Sequence, residues 1–186
     1  NGTPFAAGTN NFVVTFDTTV CDIQVVVTSP GVGTLAGAPN ACAPITVNGS
    51  YGIGVPITMT NSAAIQVNVT TAGAFSITTD TVAGIWFTFS GSLTTGAQPV
   101  ILQAQGGPPS GTAGAKTFTV KLGASTCTFP VTLAAAGVGT LGGAGGACTP
   151  INVYGPYIAG TALTAADTVV VQVNVTTPGI FSISTN

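Results

Sequence analysis

Ile65, Val67 and Val69 alternate with Gln66, Asn68 and Thr70, which puts apolar side chains on one face of an extended chain. The same period of two recurs along the middle of the sequence. It predicts seven strands, at 43–47, 63–70, 74–79, 84–90, 99–104, 116–122 and 126–133. Each is short and rich in Val, Ile, Thr and Phe, residues that suit a pleated, half-buried surface. Gly, Pro, Asn and Ser punctuate the connections, as at Ala72-Gly73 and Gly106-Gly107-Pro108-Pro109. No window sustains a helical period beyond two turns, so an all-β chain is expected.

Slid against itself by 106 residues, the chain pairs 1–80 with 107–186, and about 33 of those 80 pairs are identical. GVGTL at Gly31 recurs at Gly137, QVNVTT at Gln66 recurs at Gln172, and FSI at Phe75 recurs at Phe181. Cys21 falls on Cys127 and Cys42 on Cys148, while residues 81–106 have no second copy. The sequence therefore reads as an array of one domain type. With boundaries in the Gly-containing links near 29–33 and 134–139, one complete repeat spans 30–135. Residues 1–29 supply the last two strands of a preceding or partner-completed repeat, and 136–186 the first three of a following one. Seven antiparallel strands per 106-residue repeat predict tandem immunoglobulin-like β-sandwich domains. A parallel β-helix would repeat far more often.

Charge narrows the chemistry. Only Lys116, Lys121, Asp17, Asp22, Asp80 and Asp167 carry formal charge, and Glu, Arg and His are absent. Charged residues make up 3% of the chain, against roughly 25% in ordinary soluble domains. A histidine triad, a histidine-ligated metal and an arginine clamp on phosphate cannot be built, so no catalytic residue, metal or cofactor is expected. Two lysines and a net charge of -2 provide no basic stripe for nucleic acid. Gly, Thr, Asn and Pro interrupt the charge-free run 122–166 too often for a membrane-spanning helix. With 45% hydrophobic residues and so little charge to oppose association, the chain is expected to assemble. It opens at Asn1 without an initiator Met, and is expected to be a processed product or a window of a longer array.

The runs CAPITVNGSY, QVNVTTAGAFSITTDTVAGIWFTFSG and GTAGAKTFTVKLGASTCTFPVTL resemble the tandem Thr/Gly-rich immunoglobulin-like repeats of large secreted surface proteins of Bacteroidota. That resemblance covers essentially the whole chain and implies an extracellular structural role, in a stalk, adhesin or filament.

The four cysteines have no CxxC spacing and no histidine companion, which favours disulfides and an oxidising compartment over zinc. In a seven-strand sandwich the first and last strands begin at the same pole. Cys42 precedes the first strand of the complete repeat and Cys127 begins its last, so these two are expected to pair. The alternative joins Cys21 to Cys42 and Cys127 to Cys148, which requires the chain to turn back along a strand of about 26 Å. Buried reduced thiols are a third reading. Under the favoured pairing, Cys21 and Cys148 each call for a partner in a neighbouring repeat or subunit.

Open ends would expose apolar faces and unpaired edges. Either adjoining segments of a longer array complete them, or fragments of adjacent subunits complete each other head to tail by strand addition. In the second case Cys21 of one chain lies beside Cys148 of the next. The composite lacks only the strands equivalent to 81–106, expected together at one edge of one sheet.

Several motifs have bland readings beside functional ones. Asn1, Asn48, Asn68 and Asn174 head Asn-x-Ser/Thr triplets, frequent by chance in such a composition. Asp17, Asp80 and Asp167 each precede a Thr in a context resembling the Bacteroidota O-glycan acceptor, which marks Thr18, Thr81 and Thr168; turn chemistry explains the same Asp residues. Gly137–Gly146 lacks a phosphate-loop Lys and reads as a flexible linker. Trp86, Phe87 and Phe89 are expected in the core rather than as a carbohydrate platform. Asp17 and Asp22 offer too few oxygens for calcium. The leading expectation is a subunit or segment of an extracellular filament that partners itself. An adhesin stalk or carbohydrate-binding module comes next, and an ice-binding Thr surface third.

Overall fold

The computed structural model describes residues 6–184, and among these the regular structure is entirely β. The chain opens with a hairpin of β1 (Gly8–Phe16) and β2 (Thr19–Val27), which pair only with each other. Nine strands follow: β3 (Val32–Leu35), β4 (Ile45–Asn48), β5 (Tyr51–Gly52), β6 (Ser62–Thr71), β7 (Gly73–Thr79), β8 (Ile85–Leu93), β9 (Gly96–Gly106), β10 (Gly114–Leu122) and β11 (Ser125–Ala134). Last come β12 (Val138–Leu141), β13 (Ile151–Tyr154), β14 (Thr168–Val171) and β15 (Val173–Thr177).

The nine middle strands run in the order β3-β6-β9-β8-β7-β10-β11-β5, with β4 also on β6. They fold into a sandwich because one strand changes layers. Residues 85–88 of β8 pair with β9, whereas 88–93 pair with β7. One layer holds β3, β4, β6 and β9; the other holds β7, β10, β11 and β5. On the opposite side, the Cys42–Cys127 disulfide and a hydrogen bond from Leu35 N to Ser125 Oγ (2.9 Å) tie β11 to the segment around β3 and β4.

Alternation fills the space between the layers. In β7 Phe75, Ile77 and Thr79 point inward while Ala74, Ser76 and Thr78 face out; in β11 Cys127, Phe129, Val131 and Leu133 point inward. Phe87 meets Phe118 and Phe129 edge-on, with ring centroids 5.1 and 5.3 Å away, and Tyr51 lies 5.9 Å from Phe87. Such aromatic pairs add about 0.5–1.5 kcal/mol each beyond their burial. Among the described residues, the buried hydrophobic core begins at Leu35 and ends at Leu133.

All seven strands expected from alternation form, and the structure adds others. Val32–Leu35 and Val138–Leu141, expected within or beside glycine-rich links, are strands β3 and β12. Glycine is required there by close approach: a Cβ on Gly33 or Gly139 would press on the backbone of the facing strand. Gly137–Gly146 is accordingly a strand and a tight turn rather than a free linker. Strands β8 and β9 do not share one sheet edge; they form the seam that joins the two layers along one side.

Pairing registers recur at 106 residues. In β1–β2, Gly8 faces Val27 and Val14 faces Cys21; in β10–β11, Gly114 faces Leu133 and Val120 faces Cys127. Strands β3 and β6 repeat as β12 and β15, including the bulge after Val32 and after Val138. The pairing of β4 with β6 repeats as β13 with β14.

Candidate functional site

The middle sandwich shows what a repeat needs in order to close. Its β10–β11 hairpin rests on β7 through Val120 and Lys121 and on β5 through Leu133 and Ala134. Cys42 N donates to Thr128 O (2.9 Å), and Thr128 N to Asn40 O (3.0 Å), beside the disulfide, whose Cα atoms are 5.0 Å apart. The hairpin's inner side chains, Phe118, Val120, Phe129 and Val131, are thereby buried.

The outer segments carry the same pieces uncovered. Phe12, Val14, Ile23 and Val25 occupy the equivalent hairpin positions, and Phe12 is 55% exposed where Phe118 is 0%. At the other end Leu141, Phe181 and Ile183 stand where Leu35, Phe75 and Ile77 are buried, and Tyr157 is 49% exposed against 3% for Tyr51. A cleft of about 350 Å³ lies among Leu141, Val173, Phe181 and Ile183. Leu141, Val173, Phe181 and Ile183 correspond to Leu35, Val67, Phe75 and Ile77 of the closed core, so each outer segment exposes apolar side chains whose equivalents the middle repeat buries.

Cys42 and Cys127 are bonded to each other, while Cys21 is free and exposed and Cys148 is free and half-buried. The hairpin β1–β2 makes no strand pairing with β12–β15 of its own chain.

Junctions between repeats are held by backbone. Gly31 N donates to Ala74 O and Ala74 N to Ser29 O, both at 2.8 Å; Gly137 N donates to Ile180 O (2.9 Å) and Ile180 N to Ala135 O (3.1 Å). Where a third strand is expected in 136–186, the described residues show this single bridge at Ile180.

The remaining candidates are scattered. Thr18, Thr81 and Thr168 are all exposed, each beside a turn or strand end. Asp17 occupies the β1–β2 turn with φ 52°, and Asp80 Oδ1 accepts from Thr119 N (2.8 Å), so both have structural employment. Asn48, Asn68 and Asn174 are exposed, and Asn1 lies outside the described residues. Trp86 faces outward at 37% exposure, Phe87 is fully buried and Phe89 is intermediate, so the expectation of three core aromatics fails at Trp86. Strand alternation forces neighbours to opposite faces. No cluster of three or more metal-ligating side chains occurs among the described residues. No helix there is long and apolar enough to cross a membrane.

Two polar features escaped the sequence reading. Asn61 is buried; its Oδ1 accepts from Thr58 N (2.9 Å) and Oγ1 (3.0 Å), and its Nδ2 donates to Ser50 O (2.9 Å). Its repeat equivalent is Asp167, whose Oδ2 accepts from Thr164 N (2.6 Å) and Oγ1 (2.8 Å) while Oδ1 is buried without a partner. A carboxylate has no N–H with which to reproduce the third bond. Burial pushes the Tyr51 hydroxyl up to about 12, with a side-chain hydrogen bond from Asn61 acting in the opposite direction.

Comparison with protein-family models, curated proteins and solved structures finds no match to this chain.

Proposed function

We propose that this chain is a structural component of an extracellular filament or fibre, built from head-to-tail immunoglobulin-like domains of the kind found in Bacteroidota surface proteins. The observation that carries this is the pair of uncovered outer faces: each presents the side chains that the middle repeat buries, and each is the counterpart of the other. Head-to-tail contacts of that kind propagate into a filament when the rotation between copies does not close a ring. Rigidity comes from backbone bridging at Ala74 and Ile180 and from the disulfide, the latter suited to an oxidising, secreted setting.

The proposed partner is the chain itself, as a homopolymer or a continuous array, with no enzymatic activity and no cofactor. Thr18, Thr81 and Thr168 are candidate O-glycan acceptors; their exposure is compatible with that role. Electron microscopy and sedimentation of the purified chain test the proposal. Fibres that lengthen with concentration are expected, and a compact monomer at high concentration overturns it. Intact mass under reducing, denaturing conditions separates subunits near 18.1 kDa from one very long array.

A further inference from the structure

We infer that the face formed by β12–β15 and Phe181–Ile183 of one chain receives the β1–β2 hairpin of a second copy, in the register of the middle repeat, and that Cys21 and Cys148 then form an interchain disulfide. This rests on the filament reading above and specifies its joint.

The occupant follows from the repeat. In the middle sandwich this face is covered by β10–β11, and the hairpin with the same strand register, turn position and cysteine is β1–β2. Shifting the middle contacts by 106 residues gives the joint. The Cys42–Cys127 pair becomes Cys148–Cys21, and the bridge between Ala41 and Thr128 becomes one between Ala147 and Asp22. The contact of Tyr51 with Leu133 becomes Tyr157 with Val27. The bond from Leu35 N to Ser125 Oγ becomes one from Leu141 N to Thr19 Oγ1. That hydroxyl already donates to Phe16 O (2.7 Å), which leaves its lone pairs free to accept. Cys148 and Cys21 thus stand at the repeat positions of the bonded pair Cys42 and Cys127. Among the described residues nothing corresponds to the β8–β9 seam at this joint, and the covalent link ties the side opposite to it.

Bond formation needs an oxidant, here a low-molecular-weight or protein disulfide. The Cys21 thiolate attacks one sulfur of that disulfide and expels a thiol; the Cys148 thiolate then displaces the second. The cysteine pair loses two protons and two electrons, and the oxidant is reduced to two thiols.

The test uses full chains carrying Cys21→Ser or Cys148→Ser, incubated with oxidised and reduced glutathione and resolved on non-reducing gels. An equimolar mixture of the two variants is expected to give a covalent dimer whose peptide map contains the Cys21–Cys148 link, while neither variant alone gives one. Leu141→Asp, placed in the variant that keeps Cys148, is expected to cut the dimer yield at least tenfold. Dimers of either variant alone at the yield of the mixture would overturn the inference. So would fibres that assemble without this link, an outcome that leaves the filament reading standing. A monomer at high concentration, with no dimer, sinks both.

Discussion

Gly31 lies directly beneath the ring of Phe75, with no room for a Cβ, and Gly137 stands in the same relation to Phe181. The glycine opens a junction between repeats, and the ring belongs to the repeat that follows. Because the limitation is space rather than backbone conformation, Gly31→Ala must displace Phe75 from the core. We expect a loss of about 1–3 kcal/mol, read as a lower urea midpoint.

The outer hairpin and its buried counterpart permit a paired comparison. Phe118→Ala is expected to cost roughly 3–5 kcal/mol by leaving a cavity in the core. Phe12→Ala, at an exposed site, is expected to leave dilute-solution stability nearly unchanged and instead to weaken assembly, measured by sedimentation velocity across a concentration series.

Cys42 and Cys127 are 85 residues apart in sequence, so their bond closes a long loop in the unfolded chain. Replacing both by Ser is expected to lower stability by about 3–5 kcal/mol. Denaturant titration with and without reductant checks this, since reductant should bring the parent chain to the level of the variant.

Tyr51 supplies a pH dependence. Its folded-state value of about 12 exceeds the ordinary 10, so only the unfolded chain releases the proton between those values. The contribution is complete below pH 10 and is lost as pH rises through 12. Tyr51→Phe is expected to flatten that decline, by about 2–3 kcal/mol at its largest. Chemical denaturation between pH 8 and 12 is the measurement.

Asp167 has a buried oxygen with nothing to accept from, where Asn61 uses an amide to donate to Ser50 O. Asp167→Asn is expected to restore that donor toward the carbonyl of Pro156 and to gain about 0.5–1.5 kcal/mol of local stability. Slower amide hydrogen exchange around Thr164 would register the gain; unchanged exchange would count against it.

Much was legible in the sequence. Period-two alternation marked seven of the nine strands of the middle repeat, because each of those strands buries one face and exposes the other, and that demand is written locally. Self-similarity at 106 residues marked the repeat, and turn parity placed Cys42 near Cys127. Two short strands were not legible. Val32–Leu35 is broken by Gly33 and follows Gly31, and Tyr51–Gly52 is too short to show a period; both are strands because β6 and β11 lie alongside.

The order of side chains determined by itself which residues can share a face, which segments extend and which cysteines stand at a common pole. Tertiary structure alone decided which of two matching copies is buried. Gln66–Thr71 and Gln172–Thr177 have the same six residues, yet Val69 is buried in the first and Val175 is exposed in the second. The difference is what lies across from each: β10 and β11 close the first repeat, whereas among the described residues the second meets no equivalent hairpin. Burial depends on neighbours far away in sequence, and no local pattern can contain them.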